Sequence, residues 1–135
     1  CPFAAHIRKM NPRGDIGDGG RQRHAIPRRG IPFGPEATDK EREDKMTQQE
    51  RGLYFVCYQS ALMEGFSFLQ QQWANLAGFP FPTTDPPQIP GFDPIIGQQT
   101  GAGLRTMTGH NRNDVTQTLG LTSQWVNSRG GEYFF

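Results

Sequence analysis

Residues 79–100 hold six of the chain's eleven prolines, and no other feature restricts the fold as much. Each proline removes a backbone donor and fixes φ, so a helix cannot run through the tract and a central sheet strand is disfavoured there. A stretch of that length without regular structure is expected to be functional or to wrap over the body. Regular elements must therefore come mainly before it. Gly52 to Tyr58 is the best strand, aromatic and β-branched with no breaker inside. Alternation places Leu53, Phe55 and Cys57 on one face and Tyr54, Val56 and Tyr58 on the other, which predicts cover on both faces. Ser60 to Ala77 is the best helix, because Leu62, Phe66, Leu69, Trp73 and Leu76 recur at spacings of four, three, four and three.

The remaining segments read more simply. Residues 24–34 suit a short strand that enters a turn at Phe33-Gly34-Pro35. Between residues 38 and 51 the chain is almost wholly polar, and two capping signals, Thr38 with Glu41 and Thr47 with Glu50, allow a solvated helical turn. Gln124-Trp125-Val126 suits a last strand or turn, and Glu132 to Phe135 reads as a further strand. With 135 residues the chain is expected to form one domain, 1–135, with 79–124 as a long Pro/Gly-rich wrapping loop within it. It opens on Cys1 and closes on apolar residues, so a piece cut at both ends is expected.

Net charge is +1, but residues 1–34 carry seven Lys/Arg against two Asp. A basic nucleic-acid module would use that segment, yet it has no recognition motif and no interleaved stacking aromatics. No run of 18 apolar residues is present, so no membrane span is expected. His6, His24 and His110 form no HxxxH, HExxH or Cys/His spacing, and Cys1 and Cys57 allow one bridge at most, so a protein zinc site is not expected. GxSxG and the Lys-Ser/Thr of a phosphate loop are absent.

Four strings change this picture when read in order: CPFAAHIRKMNPR (1–13), RRGIPFGPE (28–36), ERGLYFVCYQSALMEGFSFLQQQWAN (50–75) and GFDPIIGQ (91–98). Together they closely resemble the C-terminal half of fungal dye-decolorizing (DyP-type) heme peroxidases. The resemblance implies an α+β, ferredoxin-like fold, an antiparallel sheet with packed helices, forming one incomplete unit of a two-unit architecture. It implies heme b (iron protoporphyrin IX) as cofactor, hydrogen peroxide and aromatic dyes or phenols as substrates, the N-terminal half of the same protein as partner, and secretion. Nucleic acid and membrane are not implied as partners.

The resemblance also assigns residues. His6 matches the proximal ligand of the heme iron, and Asp93 is the candidate acceptor for its other ring nitrogen, with an Asx-type turn before Pro94 as the alternative. Arg28 matches the distal arginine, which would stabilise negative charge as the O–O bond breaks. Leu53 and Phe55 resemble the apolar wall of the distal pocket, a role compatible with plain packing. Arg8 and Arg13 could pair with heme propionates, Arg13 matching better, or simply form a solvated basic turn. Trp73 resembles a position that passes electrons from bulky dyes, although the helical stripe explains it equally well as a core residue. The family's acid–base aspartate, in a GxxDG motif, is not found, since Gly17-Asp18-Gly19 fits neither pattern nor position. The chain is therefore expected to be a peroxidase fragment whose activity needs the N-terminal half. The alternative is a non-catalytic processed or truncated fragment that binds heme weakly or supports a partner chain.

Overall fold

A computed structural model describes residues 1–81, 89–98, 105–121 and 123–135. The described elements are α1 (His6–Met10), α2 (Asp18–Arg23), β1 (Arg28–Phe33), α3 (Asp39–Asp44), β2 (Gly52–Cys57), a 3-10 turn (Leu62–Glu64), α4 (Phe66–Phe68) running into a π-helical stretch (Leu69–Ala74), β3 (Arg105–Met107) and β4 (Leu119–Leu121). The length suggests one body, yet the chain divides into two compact units, Ile26–Gln59 and the combination of Cys1–Ala25 with Ser60–Phe135.

The smaller unit is held by local interactions. β1 and β2 pair antiparallel, with Arg28 opposite Cys57, Gly30 opposite Phe55 and Pro32 opposite Leu53. Thr38 caps α3 as its sequence predicts: its hydroxyl accepts from the Glu41 N–H at 3.2 Å, and the Glu41 carboxylate accepts from the Thr38 N–H at 2.8 Å. The second signal nucleates no helix. Thr47 instead donates to Glu41, which also accepts from the Gln48 and Gln49 N–H groups at 2.6 and 3.1 Å and from Arg51 at 2.9 Å. Those donors hold the Glu41 carboxyl well below the usual carboxylate range, the Arg51 bond foremost. Among the described residues the cover expected on both faces of β2 is incomplete, since Leu53 is 56% and Tyr54 64% exposed. Glu41 ties α3 to Arg51, the residue before β2, and a two-stranded sheet with one short helix beside it makes no closed core of its own.

In the larger unit the core comprises Ala4, Leu69, Trp73, Ala74, Phe79 and Met107, with α1 packed on the helical stretch that ends at Ala74. The continuous helix expected over 60–77 is broken. Gly65 leaves helical geometry between the 3-10 turn and α4, and the Asn75 N–H donates to the Gln70 carbonyl five residues back at 3.0 Å. That wide turn rotates the end of the stripe: Leu69, Trp73 and Ala74 are buried while Leu76 is exposed. Tract 79–124 is not wholly irregular, since β3 and β4 pair antiparallel within it, Met107 opposite Leu119, and Gly91 bridges to Met107. The last strand lies at 119–121, and 124–126 and 132–135 are irregular.

Candidate functional site

α1 begins at His6 and ends before Asn11-Pro12, since proline disfavours helical geometry in the residue before it. The first residue of this short helix meets the loop at 90–97: His6 Nδ1 lies 2.8 Å from Asp93 Oδ2, and Asp93 is fully buried. The other carboxylate oxygen, Oδ1, accepts from the Ile95 and Ile96 N–H groups, each at 2.9 Å. Both readings of Asp93 therefore hold at once, one oxygen closing an Asx-type turn and the other facing the imidazole. An oxygen acceptor makes Nδ1 the protonated nitrogen, which leaves the Nε2 lone pair available as a donor. With its side chain 38% exposed, His6 is not sealed in the core.

Two buried cations flank the Asp93 loop, and sequence reasoning singled out neither. Lys9 is wholly buried, and its Nζ donates to the Leu76 and Gly91 carbonyls at 2.8 and 2.6 Å. Burial pulls its pKa down to about 8, partly opposed by Asp93. Arg105, also buried, donates from Nη2 to the Asp93 carbonyl at 2.8 Å, while its Nε and Nη1 have no hydrogen-bond partner among the described residues. Gly91 holds a φ of +105°, and a Cβ there would run into the Thr106 carbonyl, so only glycine lets β3 approach the loop this closely.

The expected propionate partners separate. Arg8 is committed elsewhere: Nε and Nη2 each donate to Asp15 at 2.7 Å, and the guanidinium lies over the rings of Phe3 and Phe81. The fork of donors that a propionate would need is thus taken by Asp15, a carboxylate not recognised from sequence. Arg13 stands exposed. Trp73 is buried, stacked on Phe79 with centroids 5.0 Å apart and edge-on to His24 and Phe68. His24 is likewise a packed residue, stacked on Phe68 at 3.7 Å with Nδ1 2.7 Å from the Glu64 carbonyl. His110 is exposed.

Arg28, Leu53 and Phe55 belong to the smaller unit, and its register brings them together. Residues directly opposite in an antiparallel pair share a face, so Arg28 opposite Cys57 lies on the face that carries Phe55 and Leu53. Gly30 separates Arg28 from Pro32 on that face. A Cβ on Gly30 would come within 3.0 Å of Leu53 Cδ1, so the missing side chain makes room for Leu53.

Among the described residues no three His, Cys, Asp or Glu side chains gather into a metal cage, and no helix is long and apolar enough to cross a membrane. A metal at His6 would need its other donors from elsewhere, as an iron held by a macrocycle has. The donor set at His6 fits that requirement: one imidazole, its second nitrogen fixed by a buried carboxylate.

The family model described as "Dyp-type peroxidase, C-terminal" matches residues 1–79. The chain belongs to that family. Relatives of this Dyp-type chain include dye-decolorizing peroxidases of Auricularia auricula-judae, 47% identical over all of the chain and 27% of the relative, and of Exidia glandulosa, 48% identical over all of the chain and 25% of the relative. The crystal structure of a fungal DyP-type peroxidase from Auricularia auricula-judae superimposes with a TM-score of 0.83 at 45% identity, covering 97% of this chain and 30% of that one. An ancestral D-type dye-decolorizing peroxidase gives a TM-score of 0.81 at 48% identity, covering 93% and 28%. The fold is thus the α+β, ferredoxin-like arrangement of Dyp-type peroxidases, and the chain spans about a quarter to a third of the length of these relatives. Asp93 lies beyond the residues that the family model matches.

Proposed function

We propose that this chain is the heme-ligating part of a secreted dye-decolorizing peroxidase that reduces hydrogen peroxide and oxidises aromatic dyes and phenols, with the remaining activity supplied by the N-terminal part of the protein. The observation that carries the reading is the 2.8 Å contact between His6 Nδ1 and a fully buried Asp93, since peroxidases strengthen an axial imidazole through such a bond. When bound, heme b supplies the redox-active iron at which peroxide is reduced.

The residues of this chain would contribute by position and charge. Asp93 keeps the proton on Nδ1 and thereby leaves Nε2 of His6 as the nitrogen that would hold the iron. Arg13, exposed where Arg8 is paired, is the cation for a propionate. Arg28 carries a permanent charge that stabilises negative charge growing on the departing peroxide oxygen, without itself losing a proton. Leu53 and Phe55, on the same face of the hairpin as Arg28, would supply the apolar wall of that space. Bulky dyes must then deliver electrons from outside, and Trp73 is the relay. Buried among Phe79, Phe68 and His24, the indole would pass electrons inward while the dye binds elsewhere on the surface.

Heme titration tests the ligand. The wild-type chain should develop a Soret band with a five-coordinate histidine signature, and His6→Ala should lose it while His24→Ala and His110→Ala keep it. An unchanged Soret band in His6→Ala would refute the assignment.

A further inference from the structure

The structure assigns Lys9 as the positioning residue of the His6–Asp93 pair. A wholly buried lysine is costly unless its ammonium is satisfied, and among the described residues Lys9 makes no ion pair. Its partners are two carbonyls, Leu76 at 2.8 Å and Gly91 at 2.6 Å. A methionine or leucine would fill the same volume without that cost, so the ammonium contributes what an apolar side chain cannot, a bolt between two backbone segments.

Those segments carry the acceptor. The Asp93 N–H donates to the Ala74 carbonyl and the Gly91 N–H to the Ala77 carbonyl, each at 2.9 Å, so residues 74–77 and 91–93 run side by side. Lys9 grips both, one residue before Ala77 and two residues before Asp93. On α1, His6 and Lys9 are three apart and neighbours on one face. The helix therefore holds the loop at two points: the imidazole takes the Asp93 carboxylate and the ammonium takes the Gly91 carbonyl. The backbone bonds to Ala74 and Ala77 fix the loop to residues 74–77, and the ammonium fixes both of those segments to α1, which sets the approach of Oδ2 to Nδ1. Arg105 steadies the far side through the Asp93 carbonyl.

The role of Lys9 in heme ligation rests on His6 being the ligand, so the test is made without heme. In the 135-residue chain, the His6 Nδ1 proton is observed by NMR and identified by its loss in His6→Ala. Its exchange with water is compared with that of the Leu69 amide in the core. In Lys9→Met the ring proton should exchange at least about tenfold faster relative to Leu69, and Lys9→Gln, which keeps N–H donors on a shorter stem, should recover part of the protection. A purely structural role would accelerate both protons together, and an unchanged ratio overturns the proposal. Loss of the fold in both variants would make Lys9 a core strut and overturn it as well. If the wild type shows the protected proton but binds no heme, the heme reading fails while the positioning stands.

Discussion

Raising the pH from about 7 to about 11 should stabilise the wild-type chain relative to Lys9→Met, and Lys9 sets both the sign and the size of the effect. Burial draws its pKa from an ordinary 10.5 to about 8. Below the folded value both folded and unfolded chains hold the proton, and the folded chain bears the full cost of burying a cation. Between about 8 and 10.5 the unfolded chain binds more protons than the folded one, so stability rises with pH; above 10.5 both are neutral and the gain is complete. At 1.36 kcal/mol per decade of proton affinity, the gain is about 3 kcal/mol at most. The neutral amine still has N–H groups for Leu76 and Gly91, so the bolt survives the titration. Cys57, whose thiol is pushed up by burial, works in the opposite direction over an overlapping range, which is why the comparison is with Lys9→Met. The assay is urea denaturation of both chains at intervals across the range. A wild-type advantage over Lys9→Met that stays constant with pH would refute the reasoning.

Two further outcomes follow from the site. Arg28→Leu in the whole protein should keep heme yet slow reaction with peroxide by about two to four orders of magnitude, the loss of about 3–5 kcal/mol of preorganised charge stabilisation; stopped-flow measurement within about threefold of wild type would point to Arg29 instead. Trp73→Phe, which leaves a gap beside Phe79, should cost about 1–3 kcal/mol by chemical denaturation and lower turnover of a bulky dye severalfold more than turnover of a small phenol. A parallel fall in both turnovers would leave Trp73 with a packing role alone.

Local chemistry was the legible part of this chain. β2 is aromatic and β-branched, and the Thr38–Glu41 box is spelled out in four residues, so both elements stand where the sequence puts them. The helix after Ser60 was only half visible, because hydrophobic spacing is blind to Gly65 leaving helical geometry and to the wide turn at Gln70–Asn75. Cover over β2 could not be read, since alternation states that a face is apolar but not what lies on it. At the site, the resemblance named His6 and Asp93, which the structure brings together, while the buried cations beside them escaped it. Lys9 sits in a basic run that reads as solvent-facing, and Arg105 lies in a Gly- and Thr-rich stretch with no periodic pattern. Arg8 looked free because its partner Asp15 is hidden in a glycine-rich turn.

His6 and Asp93 are separated by 87 residues, and that interval orders events on the ribosome. At roughly 5–20 residues per second the second member follows the first by on the order of ten seconds. Over that time the β1–β2 hairpin, closed by short-range contacts, can already form. The imidazole waits with its tautomer unset, because the carboxylate that fixes it has yet to be made. On the proposed heme reading, cofactor capture through His6 would be a late event in the life of the nascent chain, and a chain released before the Asp93 loop would hold the histidine without the carboxylate that fixes its tautomer.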